Sequence, residues 1–364
     1  MTSPPIELTV AGKRYGGWQS VEIVRSIEAL AGGFTLSLSE QWAGQPKPWP
    51  IPDDAECSVL IEGVPVITGF LDSIEPAFDT STRSITVRGR DRAGDLVDCS
   101  AQLGAWSFSN VNVLELAKKI AAPYGVPVTL QASLVSTVTV PKKKYSIDPG
   151  DSAAEALGAL CKLTGLLAVS DGAGGLVLTR AGTERLATVL VEGQNLLSCR
   201  GKFSSSQRFR QYEVMGSHKG RDDVTGAQAC GVRGSATDMN ARAGRTLIVR
   251  PDQGVTPATA KERAEREAAV RAARAEQVTA RVQGWAESPF NPVWPMNKLV
   301  KLRSPSCRVD GDTLIAGVTL SFSASEGSVT TLDLRNPAAF VPDPTIAKAG
   351  AGGNRYWREI VRGV

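Results

Sequence analysis

Residues 89–101 read GRDRAGDLVDCSA and follow the alternating run SITVR. Arg90, Asp91, Arg92, Asp95 and Asp98 crowd this short segment. Carboxylates so spaced can serve acid–base chemistry, hold a cation, or form a polar seam with the arginines between them. A one-turn helix from Asp91 to Asp98, anchored by Leu96 and Val97, presents both signs of charge for ion pairs across a domain seam. Arg88 adds a third cation just upstream. The structural reading is preferred, because no nucleophile, base or further ligand can be named beside these residues.

The other chemistry-bearing residues point the same way. The single histidine, His218, lies at the edge of a long loop with no orienting partner or nucleophile in view, and reads as a solvated side chain. The stretch GSHKG (216–220) has histidine where a nucleophile elbow needs serine. No GxxxxGK[ST] run occurs, and AGAGG near the C-terminus lacks the strand-to-helix context of a dinucleotide site. Asp310-Gly311-Asp312 reads as a hairpin turn, since no acidic ligands follow at calcium-loop spacing. The pairs Asp53/Asp54, Asp222/Asp223 and Glu265/Glu267 fall in loops or on a charged helix face, whereas glycoside hydrolysis needs two carboxylates converging across a cleft. Lys142, Lys143 and Lys144 would attract phosphate, but a lone basic tripeptide is a weak signal. The cysteines at 57, 99, 161, 199, 230 and 307 form no CxxC pair, so they read as small buried hydrophobes of a chain made in a reducing cytoplasm. No catalytic residue, metal site or cofactor is expected.

The elements that carry these residues change character along the chain. Alternating strands fill the first part: 20–28, 34–40, 57–63, 64–75 and 84–91, with Glu62-Gly63 as a hairpin tip and the Pro-rich 44–54 as a surface loop. Five or six short antiparallel strands suggest a small barrel or sandwich. Helices follow at 112–125 and at 151–165, the second opening with Ser152 and Glu155 at capping-box spacing and leaving at Gly165. A hairpin over 166–180 completes a small α/β unit. Strands resume from 187, interrupted by an aperiodic loop, 218–244, and by a helix over 257–277 whose apolar face is nearly all alanine plus Val270. Such a thin face allows close packing against a sheet or another subunit. Its charges, including Glu262/Arg266 and Glu267/Arg271 at i,i+4, read as a solvated face or a pore lining. A second antiparallel barrel crossed by one helix is the simplest reading. The expected division is 1–101 (first β-barrel), 102–186 (α/β), 187–335 (second β-barrel) and 336–364 (tail).

In the tail, AGAGG is a flexible linker ahead of RYWREIVRGV. Tyr356, Trp357, Ile360 and Val361 would share one face of a short helix, with Arg355, Arg358 and Arg362 elsewhere around it. A helix this short needs a surface to fold upon, either on its own subunit or on a neighbouring protein. Trp357, flanked by Arg358, would be the anchor.

Whole-chain composition excludes several classes. At 364 residues, 42% hydrophobic and 21% charged, the chain is an ordinary folded protein of more than one domain. A net charge of +4 is too balanced for a nucleic-acid-coating protein. The N-terminus MTSPPIELTV has no signal-peptide pattern, and no apolar run is long enough to span a membrane.

The order strand–GRDRAGDLVDCSA, NVNVLELAKKIAAPYGV, GDSAAEALGALCKLTGLLAVSDGAGGLVL and RTLIVRPDQGVTPATAKERAEREAAVRAARAEQVTARVQGW with VWPMNKLVKLRSP resembles the baseplate hub proteins of contractile-tailed phages, the Mu-like members in particular. The resemblance runs from about residue 6 to 335. It implies two similar β-barrel domains joined by an α/β part, and relatedness to halves of type VI secretion spike proteins. It further implies a homotrimeric ring that mates a sixfold tail tube to a threefold spike in the virion and lets DNA pass without specific binding. Partners would be the spike, the tube and other baseplate proteins, with no membrane insertion and no catalytic residues. The alternative is a tail-associated enzyme that cleaves peptidoglycan or another glycan with a carboxylate pair.

Overall fold

The computed structural model describes residues 6–39, 51–80, 83–109, 111–135, 145–217, 231–251 and 255–340. The chain is mainly β and divides into two compact units, one of 1–161, 166–199 and 279–334, the other of 162–165, 200–278 and 335–364.

The first unit begins with seven strands: β1 (Ile6–Val10), β2 (Lys13–Tyr15), β3 (Ser20–Ser26), β4 (Gly33–Ser39), β5 (Glu56–Ile61), β6 (Val64–Phe78) and β7 (Arg83–Asp91). Apolar residues alternate inward along them, as in the buried Leu8, Ile23, Leu36 and Ile67. Glu62 and Gly63 take φ of 51° and 79°, the left-handed pair of a two-residue hairpin turn. Later in the chain come β13 (Arg185–Val191), β14 (Ser198–Phe203), β18 (Glu276–Gln283), β19 (Leu299–Ser304), β20 (Val309–Ser323) and β21 (Gly327–Arg335). These do not form a separate closed barrel. All thirteen strands belong to one sheet of order β14-β18-β21-β20-β3-β4-β7-β6-β5-β1-β2, with β19 on β20 and β13 on β19. The ladder is open, and β20 against β3 joins the late strands to the early ones. Alternation reveals which face of a strand is buried but not its partner, so two closed barrels could not be told from one continuous sheet. Nor is the later block wholly antiparallel, because β13 runs parallel to β19. Asp310-Gly311-Asp312 is no hairpin tip: it lies inside β20 opposite β19, and the turn falls at Pro305–Arg308.

The α/β segment holds α1 (Ala93–Asp98), α2 (Val113–Ala121) and α3 (Ala153–Thr164), with β8 (Ser107–Phe108), β9 (Val128–Leu130), β10 (Tyr145–Ser146), β11 (Leu167–Ser170) and β12 (Leu176–Thr179). Asn112 caps α2, its side chain accepting from Glu115 N at 2.7 Å. Ser152 and Glu155 form the reciprocal capping box of α3, at 2.8 and 3.1 Å. Leu96, Leu116, Ile120, Leu157, Leu176 and Leu178 make the core.

In the second unit, β15 (Gln211–Gly216), β16 (Val232–Thr237) and β17 (Thr246–Val249) pack against α4 (Pro257–Arg274). The segment 218–244 is therefore not all loop, since β16 falls inside it and pairs with β15. The residues 218–230, with His218, Asp222 and Asp223, lie outside the described residues. Ala260 and Ala264 of α4 are buried against the sheet, and a Cβ built on Gly234 of β16 would run into the backbone of Ala260 and Lys261. The alanine face thus meets the sheet backbone to backbone.

Candidate functional site

Asp91 ends β7 and is 3% exposed. Its Oδ2 accepts from Gly32 N at 2.8 Å, and its Oδ1 from Ala93 N at 3.1 Å. It also bonds the Ser170 side chain, while Arg25 donates to the Ser170 carbonyl at 3.3 Å. One carboxylate thereby ties the β3–β4 turn, the start of α1 and the end of β11. Burial raises its pKa above the usual aspartate range, although the bonds from Ser170, Gly32 and Ala93 and the charge of Arg25 pull the other way. Burial likewise lowers Arg25, against the pull of Asp91 and Asp171.

The neighbouring charges find partners from other strands. Arg90 Nε bonds Asp72 Oδ2 at 2.7 Å and its Nη1 bonds Asp98 Oδ1 at 3.1 Å, which raises the Arg90 pKa and lowers that of Asp98. Arg88 pairs with Glu75, and Arg92 with Glu56. Asp95 is half-buried on α1 and makes no ion pair among the described residues. Leu96 is buried, while Val97 is exposed, so Leu96 with Ala93, and not Val97, anchors the helix. Sequence reasoning missed Asp72, Glu75, Glu56, Arg25 and Ser170. The hairpin register carried part of the signal, because Ser73 pairs with Arg88 and Phe70 with Arg90. Asp72 is the extra residue of a bulge between Leu71 and Ser73, which turns its carboxylate toward Arg90.

These residues are locked to one another. The Asp91 carboxylate is sealed from solvent, and among the described residues no group of three or more potential metal ligands converges. No described helix is long and apolar enough to cross a membrane. The tail residues Tyr356, Trp357, Arg358, Ile360 and Val361, and Lys142–Lys144, lie outside the described residues.

A second feature had no expectation attached. Phe290 is 93% exposed at the tip of a braced loop. Asn291 Nδ2 donates to Glu287 Oε2 at 2.8 Å, Thr188 donates to Oε1 of the same carboxylate, and Asn291 N donates to Ser288 O at 3.1 Å. Below the tip, Trp294 N donates to Trp285 O at 3.0 Å, and the Trp285 indole donates to Ser321 O at 3.0 Å. Burial alone would raise Glu287, but bonds from Asn291, Thr188 and Ser288 outweigh it and hold its carboxyl below the usual glutamate range. Phe290 thus stands in solvent on a loop whose neighbouring residues are held by hydrogen bonds.

Three family models match successive parts of the chain: the N-terminal domain of Mu phage baseplate assembly protein GpP-like proteins over 5–91, the second domain of gp44-like baseplate hub proteins over 93–180, and the fourth domain of Mu phage baseplate assembly protein GpP over 256–343. The chain is 29% identical to the baseplate hub protein gp44 of Escherichia phage Mu, across 97% of this chain and 93% of that protein. The 43 kDa tail protein of prophage MuSo2 from Shewanella oneidensis is 30% identical, with a TM-score of 0.82 over 93% of this chain and 99% of that one. The type VI secretion component c3393 of E. coli shares the fold, at a TM-score of 0.53 and 10% identity over 90% and 76% of the two chains. The chain belongs to the Mu-like family of phage baseplate hub proteins.

Proposed function

We propose that this chain is the noncatalytic hub of a contractile tail, a homotrimeric ring that adapts a sixfold tube to a threefold spike and lets DNA through. The observation that carries the reading is the match to the Mu hub protein along nearly its whole length. A wide sheet whose early and late strands form two halves suits a subunit that offers two comparable β surfaces, so that three copies present six. The divisions 1–101, 102–186, 187–335 and 336–364 are its working parts, with Asp91, which reaches Ser170, as the seam between the first two. The tail serves as a tether, with Trp357 gripping the spike or the tube. Transit requires that DNA not adhere, so the channel wall is charge-mixed or acidic.

The test mixes purified chain with spike and tube proteins and runs the same chain on a cell-wall zymogram. Capture of both partners with no clearing is expected, and deletion of 352–364 should leave self-assembly intact but weaken capture. Clearing that disappears on substitution of a carboxylate pair would overturn the noncatalytic reading. Failure to bind either partner would overturn the hub reading.

A further inference from the structure

We propose that the second compact unit of one copy docks through a cationic sheet face on the acidic first unit of a second copy, so that the chain assembles head to tail by charge. The near-neutral total conceals a division. The first unit, 1–161 with 166–199 and 279–334, holds 20 Lys and Arg against 26 Asp and Glu, whereas the second, 162–165 with 200–278 and 335–364, holds 21 against 11. Part of each excess has no counter-charge. Residues 51–80 include seven carboxylates and no basic side chain. Glu56, Asp72 and Glu75 are taken by Arg92, Arg90 and Arg88, but Asp53, Asp54 and Glu62 are exposed and make no ion pair among the described residues. In the second unit Asp238 takes Arg208 and Glu267 takes Arg271. Arg200, Lys202, Arg233, Arg242, Arg250 and Arg274 are exposed and make no ion pair among the described residues.

Two of these cations share a face with exposed apolar surface. Tyr212, Val214 and Val232 form the side of the β16-β15-β17 sheet that packs on α4. Alternation turns Met215, Arg233 and Ile248 to the other side, and Arg250 continues the alternation of β17. Met215 lies opposite Arg233 across β15 and β16, and Glu213 opposite Ile248 across β15 and β17. Ile248 is 55% exposed. An apolar centre edged by two arginines suits a protein surface that brings carboxylates, and opposite potentials steer the approach and fix the register. The first unit of another copy supplies those carboxylates. Contact between unlike surfaces is heterologous, the kind that repeats from copy to copy until a ring closes. The inference rests on the self-assembly in the proposed function and names the surfaces that meet.

The test follows self-association of the full chain by sedimentation from about 0.1 M to about 1 M salt, over which the screening length shrinks from about 10 Å to about 3 Å. An association constant that falls by about tenfold or more is expected. Two charge reversals are compared, Arg233→Glu with Arg250→Glu, and Asp53→Lys with Asp54→Lys and Glu62→Lys. Each variant should stay monomeric where the wild type assembles, with its Tm unchanged. An equal mixture of the two should associate, and a chain carrying both sets should assemble again. Assembly indifferent to salt and to both reversals overturns this inference and leaves the hub reading standing, whereas a wild-type monomer in every salt overturns both. Reversals that lower the Tm, with no association in the mixture, place the attraction within one chain and also overturn it. So does tight capture of duplex DNA that Arg233→Glu with Arg250→Glu abolishes while self-assembly is untouched.

Discussion

Asp91 and Asp95 are four residues apart in the chain, yet their environments predict opposite outcomes on truncation. Asp91→Ala leaves the amides of Gly32 and Ala93 buried without their acceptor, which should cost about 2–4 kcal/mol in chemical denaturation. Asp95→Ala removes no ion pair among the described residues and should change stability by less than about 0.5 kcal/mol. Equal losses would mean that the environment around Asp91 is misread. Sequence alone ranked the two together, because their difference lies in Gly32 and Ser170, which arrive from elsewhere in the chain. Capping at Asn112, Ser152 and Glu155 was legible for the opposite reason, since both partners sit within one turn.

Elements show the same divide between local and distant. The Glu62-Gly63 turn, α2 and α3 were readable from spacing, and α4 was readable except for its last turn, ending at Arg274 rather than 277. β16 was not, because VRGSAT has one small buried position, Gly234, where a strand pattern shows a large one. That glycine lets α4 approach the sheet, so Gly234→Ala should push the helix away and cost roughly 1–3 kcal/mol by denaturant titration. An unchanged midpoint would show that the helix can shift freely. The braced loop gives a pH prediction. The folded pKa of Glu287 is below its unfolded value, so its contribution is present above the ordinary 4.5 and lost as pH falls through the folded value. The stability gap between wild type and Glu287→Gln should therefore be widest near neutrality and close in acid. A gap that is constant with pH would contradict the bracing role.

The whole molecule is where sequence patterns say least and family membership says most. Neither the single open sheet nor the exposure of Phe290 is written in periodicity, because both depend on which strands meet. If subunits and tail partners seat on displayed anchors, Phe290→Asp should leave the Tm of the isolated chain unchanged while reducing its assembly at least tenfold, a loss of about 1.4 kcal/mol or more. Normal assembly of that variant would remove Phe290 from the contact. The central claim is the trimeric hub, and the mass of the purified full chain by light scattering across concentrations tests it most directly. A rise to three times the 38.5 kDa chain mass, with no larger plateau, is the predicted result. A mass of one chain at every concentration, or a plateau at two, would contradict it.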